Sequence, residues 1–148
     1  MIEPSMNASS RRSKIVMGVD DAPESLALLN AVVTGAGYSF IGVNSGAECI
    51  RLIARSQPRL LLLDIEMPEM DGIELCRRIR ALRDYVKIPI AFLTAKKTGE
   101  AVRAGIGAGG NDFIVKPFDV IKLLERVNHW VTRPAPQADP FSKPLVLG

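Results

Sequence analysis

From Lys14 onward, short continuous apolar runs alternate with longer stretches of helical spacing. The runs are "KIVMGV" (14–19), "YSFIGV" (38–43), "RLLLL" (59–63), "IPIAFL" (88–93) and "DFIV" (112–115). Short, unbroken apolar runs predict strands of a parallel sheet covered on both faces. The first helical stretch, 23–37, opens with Pro23 at a helix start and closes on Gly37. The second, 45–56, has Ser45 as a fitting N-cap. The third, 72–82, has apolar residues at 73, 75, 76, 79 and 82. A glycine-rich fourth, 97–109, predicts a weak helix, and the fifth, 120–131, follows Asp119 as N-cap.

Five strands alternating with five helices predict an α/β fold. Right-handed crossovers make it an open, doubly wound parallel sheet. Such sheets carry ligands beyond the carboxyl ends of the strands, at a switch point in strand order. Residues 1–13 are polar and aperiodic and are expected to be a disordered tail. The domain is expected to span 14–131. Residues 132–148 hold four of the ten prolines and no periodic segment, which predicts a Pro-rich tail or a truncated linker.

Composition narrows the classes. A chain of 148 residues, 47% hydrophobic and 24% charged, suits one globular domain with a real core. The net charge of +3 is mild. Arg11, Arg12 and Lys14 fall in or beside the tail. Arg77, Arg78, Arg80 and Arg83 read as the outer face of a helix. Neither group is interleaved with aromatics, so no direct nucleic-acid contact is expected. Cys49 and Cys76 sit in helical patterns without metal-ligand spacing, which predicts buried core residues in a reducing compartment. Residues 1–13 lack the apolar region of a signal peptide. No run approaches the roughly 18 apolar residues of a membrane span. A cytoplasmic protein with no membrane contact is the expectation.

The chemistry gathers at the predicted strand ends. The first strand ends in Asp20-Asp21, the third in Asp64, the fourth in Thr94 and the fifth in Lys116-Pro117. One strand-end aspartate is commonly just a helix cap. Three carboxylates, a hydroxyl and a lysine on one rim are a different matter. The acids repel and raise one another's pKa values unless a cation sits among them. A hard divalent ion with oxygen ligands answers that, and Mg²⁺ takes one or two carboxylates plus waters and phosphate oxygens. Lys116 and Thr94 remain to hold an anionic group. An aspartate can act as a nucleophile and become an aspartyl-phosphate. The four leucines before Asp64 would anchor it, exposed at the rim, on a rigid apolar base.

In "VDDAPES", "LLLDIEMPEMDG", "FLTAKK" and "NDFIVKPF", in that order and spacing, the chain resembles a response-regulator receiver domain of two-component signalling, from about Lys14 to Val131. The resemblance implies a flavodoxin-like fold with strand order 2-1-3-4-5. It implies that Asp64 is the phosphoacceptor for a histidine kinase or a histidine phosphotransfer protein. By the same matching, Asp21 binds Mg²⁺ directly with Asp20 assisting, and Glu66 offers its backbone carbonyl. Thr94 bonds the phosphoryl oxygen and Lys116 neutralises its charge. The Lys116–Pro117 bond is expected to be cis. Phe113 matches the aromatic switch that turns inward on activation. The side chain of Glu66 is expected to tune the phosphoryl lifetime. No turnover is implied beyond self-phosphorylation and self-dephosphorylation. The downstream protein target is left open, and a homodimer through the face of the fourth helix, fifth strand and fifth helix is the assembly considered. Two alternatives remain: a haloacid-dehalogenase-like Mg²⁺-dependent phosphatase, and a degenerate receiver used only for binding. The phosphatases put their nucleophile on the first strand of the core and usually carry a second aspartate where this chain has Glu66.

Three features depart from the pattern. Gly18 is expected to weaken the first strand. Gly105 and Gly107 are each expected to cost the fourth helix about 1 kcal/mol relative to alanine and to ease its rearrangement. The first helix, with Leu26, Leu28, Leu29, Val32 and Val33, is apolar nearly all round, so it is either deeply covered or docks a partner.

Overall fold

A computed structural model describes residues 14–85 and 87–133. The expectations for residues 1–13 and for the chain beyond Arg133 lie outside the described residues. Five strands, β1 (Ile15–Val19), β2 (Ser39–Val43), β3 (Leu60–Asp64), β4 (Ile90–Thr94) and β5 (Asp112–Val115), form one parallel sheet in the order β2-β1-β3-β4-β5. The helices are α1 (Pro23–Gly35), α2 (Gly46–Ser56), α3 (Gly72–Arg80), α4 (Gly99–Gly107) and α5 (Val120–Val131). The expected fold class and strand order are both found.

Alternation along each strand divides the core. Leu60 and Leu62 join Val16, Leu29, Val33, Leu123 and Val127 beneath α1 and α5. Leu61 and Leu63 join Met17, Cys49, Ile53, Leu75, Ile79 and Phe92 beneath α2, α3 and α4. A strand covered on both sides has no polar face, hence four leucines in a row. All four are at most 1% exposed, and each contributes roughly 1.5–3 kcal/mol relative to exposure. The register then aligns the strand ends. Val19 lies opposite Leu63, Asp64 opposite Leu93, and Thr94 opposite Val115. Asp20, Asp64, Thr94 and Lys116 therefore end on one edge.

Caps define most helix starts as expected. Ser45, Asp71 and Asp119 accept backbone N–H bonds from the first turns of α2, α3 and α5, and Thr98 does the same for α4. Helix α1 ends at Gly35, ahead of a turn at Gly37 with φ +97°. Helix α3 stops at Arg80, two residues short of expectation, and a 3₁₀ turn follows at Arg83–Tyr85. Arg80, the last residue of the helix, is half-buried rather than on the outer face. Its guanidinium donates to the carbonyls of Gly109, Tyr85 and Ile88 and to Asn111 Oδ1, at 2.6 to 3.0 Å. Arg77 and Arg78 do face outward, both paired with Glu74.

Gly18 has a packing role that its expectation left out. A Cβ there would lie 2.8 Å from Phe40 Cζ and 3.1 Å from Leu29 Cδ1. The glycine makes room for the Phe40 ring, so it is a packing requirement. Helix α1 buries Leu29 and Val33, lays Leu26 and Val32 against the same cluster, and leaves Ala27 and Ala31 exposed. Cys49 and Cys76 are free and buried, as expected, and burial pushes the Cys49 thiol up to about 12.

Candidate functional site

The acids converge at the carboxyl edge of the sheet. One carboxylate oxygen from each of Asp20, Asp21 and Asp64 lies within 4.8 Å of the others. Asp20 is fully buried. Its Oδ1 accepts from the Ala22 N–H at 3.0 Å, and its Oδ2 accepts from Lys116 Nζ at 2.7 Å. Asp21 is exposed. Asp64 was expected to be exposed at the rim, but it is only 5% exposed. It is the last rung of β3, inside the ladder opposite Leu93. Helix α3 also starts directly over it: a Cβ on Gly72 would lie 2.3 Å from the Asp64 carbonyl oxygen. Only glycine allows the helix to begin so close, and the Gly72 N–H donates to the Ile65 carbonyl at 2.9 Å.

Lys116 bridges the acids. Its ammonium is 2.7 Å from Asp20 Oδ2 and 3.3 Å from Asp64 Oδ1. Burial works against its charge, yet the two carboxylates outweigh that and hold its pKa above the usual lysine value. Asp64 moves the other way for a carboxylate, raised from 3.8 to about 6. Burial is the main cause and the negative charge of Asp20 the next, with Lys116 opposing both. The expected mutual repulsion is therefore present at Asp64. Three carboxylates facing one ammonium leave room for more positive charge. The donors are all hard oxygens, so the set fits Mg²⁺.

The other predicted residues surround this cluster. Thr94 is buried, but its hydroxyl is engaged by its own loop. Oγ1 donates to the Lys96 carbonyl at 2.8 Å and accepts the Lys96 N–H at 3.1 Å. The Glu66 N–H donates to Asp64 Oδ1 at 3.4 Å, and its side chain is exposed. The Lys116–Pro117 bond is cis. Phe113 is half-buried beneath α4. Its ring centroid is 5.3 Å from that of Phe92. A Cβ on Gly105 would lie 2.6 Å from Phe113 Cζ and 2.9 Å from Phe92 Cε2, whereas one on Gly107 would meet nothing within 4 Å. The two glycines of α4 are thus unlike: Gly105 is the seat of an aromatic pair, and Gly107 is open. Sequence reasoning missed this seat and the Lys96 backbone that holds Thr94. The signal available for the seat was one glycine on the apolar side of a helix, beside a strand carrying an aromatic.

Asp64 ends the third strand of the chain, at the centre of the sheet, unlike the first-strand nucleophile of the phosphatase alternative. Comparison with known proteins agrees. The model of the response regulator receiver domain family matches residues 16–128. Response regulator MprA of Mycobacterium leprae is 36% identical over 121 residues, which cover 82% of this chain and 52% of that protein. Its counterpart in Mycobacterium sp. strain KMS is 35% identical over 132 residues, 89% of this chain and 56% of that protein. The chain thus spans about half the length of these curated relatives. Among solved structures, the Vibrio cholerae chemotaxis protein CheY4 aligns with a TM-score of 0.77 at 26% identity, over 79% of this chain and 98% of that one. The BeF₃-activated receiver domain of Klebsiella pneumoniae RstA aligns with a TM-score of 0.73 at 28% identity, over 81% of this chain and all of that one. With the parallel sheet in receiver order and the acids, hydroxyl and lysine at its carboxyl edge, the chain belongs to the response-regulator receiver family of two-component signalling.

Proposed function

We propose that Asp64 is the phosphoacceptor of a Mg²⁺-dependent switch, loaded by a histidine kinase or a histidine phosphotransfer protein in the cytoplasm. The observation that carries this reading is the Lys116 ammonium shared between Asp20 and Asp64, 2.7 and 3.3 Å away. It marks a site that already needs positive charge and has a cation aimed at the atom that would be modified.

An Asp64 carboxylate oxygen attacks the phosphorus of the donor's phosphohistidine. The P–N bond breaks, and its electron pair stays on the imidazole nitrogen. The product is an acyl phosphate on Asp64, and water later cleaves its P–O bond to restore the carboxylate. Asp64 must be ionised to attack, and its pKa of about 6 keeps it largely so at neutral pH. Asp20, Asp21, Asp64 and the Glu66 backbone carbonyl would hold Mg²⁺, which would supply positive charge against the phosphoryl oxygens. Lys116 adds a second cation against the roughly −1.5 to −2 charges gained. Thr94 has to release the Lys96 carbonyl before its hydroxyl can donate to a phosphoryl oxygen. That exchange reorders the 94–98 loop, and Thr98 caps α4. The signal therefore leaves through α4, with Phe113 as the neighbouring aromatic, while the Glu66 side chain tunes the lifetime of the acyl phosphate.

The output face fits a second copy of the chain. Ile106 on α4, Val115 on β5, and Val120 and Ile121 on α5 are large apolar residues, 45% to 69% exposed. All four lie on the face formed by those three elements. Incubation with acetyl phosphate and Mg²⁺, read by intact-protein mass, should add one phosphoryl group to the wild type and none to Asp64→Ala. Equal labelling of both proteins would reject Asp64.

A further inference from the structure

The loop between β3 and α3, residues 65–71, contains an unusual backbone. Glu69 has φ +69°, a left-handed conformation that a non-glycine residue adopts only when its surroundings compel it. Three contacts hold the loop around it. Gly72 closes one end on Ile65, and the Glu66 N–H reaches Asp64 at the other. Directly after Glu69, the Met70 N–H donates to the Pro68 carbonyl at 2.7 Å.

A fourth hold comes from the side chain of Met70. It packs against the cluster beneath α2 and α3. A Cβ on Gly46 would lie 2.7 Å from Met70 Sδ and 3.4 Å from its Cγ. Gly46 is buried in the first turn of α2, where a Cβ would have to displace the thioether. Glycine is a poor helix former. Its presence there reads as the requirement for a seat.

We propose that Met70, seated on Gly46, is a positioning residue of the phosphoacceptor site. It locks Glu69 in its left-handed conformation and so fixes the loop segment that carries Glu66 beside Asp64. The inference rests on reading Asp20, Asp21, Asp64 and Glu66 as the Mg²⁺ site. Loss of the lock lets Glu69 relax to ordinary backbone, and the loop then samples positions away from the acidic cluster. The acids themselves are untouched.

Mg²⁺ titration followed by calorimetry, with hydrogen exchange of the metal-free protein, tests this. Met70→Ala should weaken Mg²⁺ binding about tenfold, the lower end of what removing an outer support of a metal site costs. It should also speed exchange at residues 66–70. Gly46→Ala should weaken Mg²⁺ binding while leaving α2 a better helix former, which separates positioning from stability. Met70→Leu keeps an apolar side chain on the seat and should stay near the wild type. Adding Glu69→Gly to Met70→Ala should recover affinity, because glycine adopts positive φ freely. Wild-type affinity in a folded Met70→Ala would overturn the inference, provided that the wild type binds Mg²⁺ and accepts a phosphoryl group. So would weakened binding that Glu69→Gly leaves unrecovered, since Met70 would then be core filler alone. A wild type that binds no Mg²⁺ would overturn the site reading and this inference with it.

Discussion

Replacing Gly105 by alanine tests the aromatic seat in α4. Helix propensity alone favours the change by up to about 1 kcal/mol. The structure opposes it. The new methyl would sit 2.6 Å from Phe113 Cζ and 2.9 Å from Phe92 Cε2, whereas carbon atoms pack best at about 3.5–4.0 Å. Phe92 is fully buried and cannot withdraw, so Phe113 must move or the helix must lift. Overpacking of this kind costs about 1–3 kcal/mol. The net expectation for Gly105→Ala is a loss of up to about 2 kcal/mol after the propensity gain is subtracted. Gly107→Ala is the matched control. It meets nothing within 4 Å and should gain up to about 1 kcal/mol, or roughly 3–5 °C for a domain of this size. Urea denaturation of both variants with EDTA present gives the comparison. Adding Phe113→Leu should relieve much of the Gly105→Ala penalty, so the double-mutant cycle should be strongly non-additive. If Gly105→Ala stabilises as much as Gly107→Ala, the ring does not rest on Gly105 and the argument fails.

Two further outcomes are expected. Asp64 has a folded pKa near 6 against 3.8 in the unfolded chain. Its contribution to stability is therefore complete below pH 3.8 and lost as pH rises through 6. At about 1.4 kcal/mol per pH unit, ionised Asp64 costs the metal-free fold on the order of 3 kcal/mol at neutral pH. Asp64→Asn should thus outlast the wild type in urea at pH 7 with EDTA and lose that advantage near pH 4. A difference independent of pH would contradict the assignment. Arg80→Leu should cost about 3 kcal/mol, because it leaves several half-buried carbonyls without donors at about 1–3 kcal/mol each. Arg78→Leu removes only an exposed pair with Glu74 and should cost under about 0.5 kcal/mol. Equal denaturation midpoints for the two arginine variants would show that the guanidinium bonds of Arg80 carry no weight.

The strands and the rim chemistry were legible because both are local patterns. Leu60–Leu63 declare a strand covered on both faces, and a parallel sheet in any doubly wound order puts Asp20, Asp64, Thr94 and Lys116 at its carboxyl edge. What the chain could not declare was how closely other elements approach. Asp64 read as exposed because nothing in "MPEMDG" says that α3 begins against its carbonyl, a closeness that Gly72 permits. Gly18 and Gly105 read as weak points because a missing side chain does not name what fills its space; here Phe40 fills one and Phe113 the other. Arg80 read as surface because it stands in a run of arginines. Its acceptors lie at Tyr85 and Ile88 in the next connection and at Gly109 and Asn111, far along the chain. Phe113 matches the aromatic switch position only by resemblance, and its seat under α4 depends on a helix of a different segment.

The central claim is that the phosphoryl group of a phosphohistidine donor moves to Asp64 as an acyl phosphate. Borohydride cleaves an acyl phosphate by reducing the carbonyl, which converts a modified aspartate into homoserine. The protein should be incubated with Mg²⁺ and a phosphorylated histidine kinase or phosphotransfer protein, then reduced and digested, and its peptides sequenced by mass spectrometry. The account predicts homoserine at position 64 alone, dependent on Mg²⁺ and reduced in Asp21→Asn. Homoserine at position 20 or 21, or none anywhere while the donor loses its phosphoryl group, would contradict it.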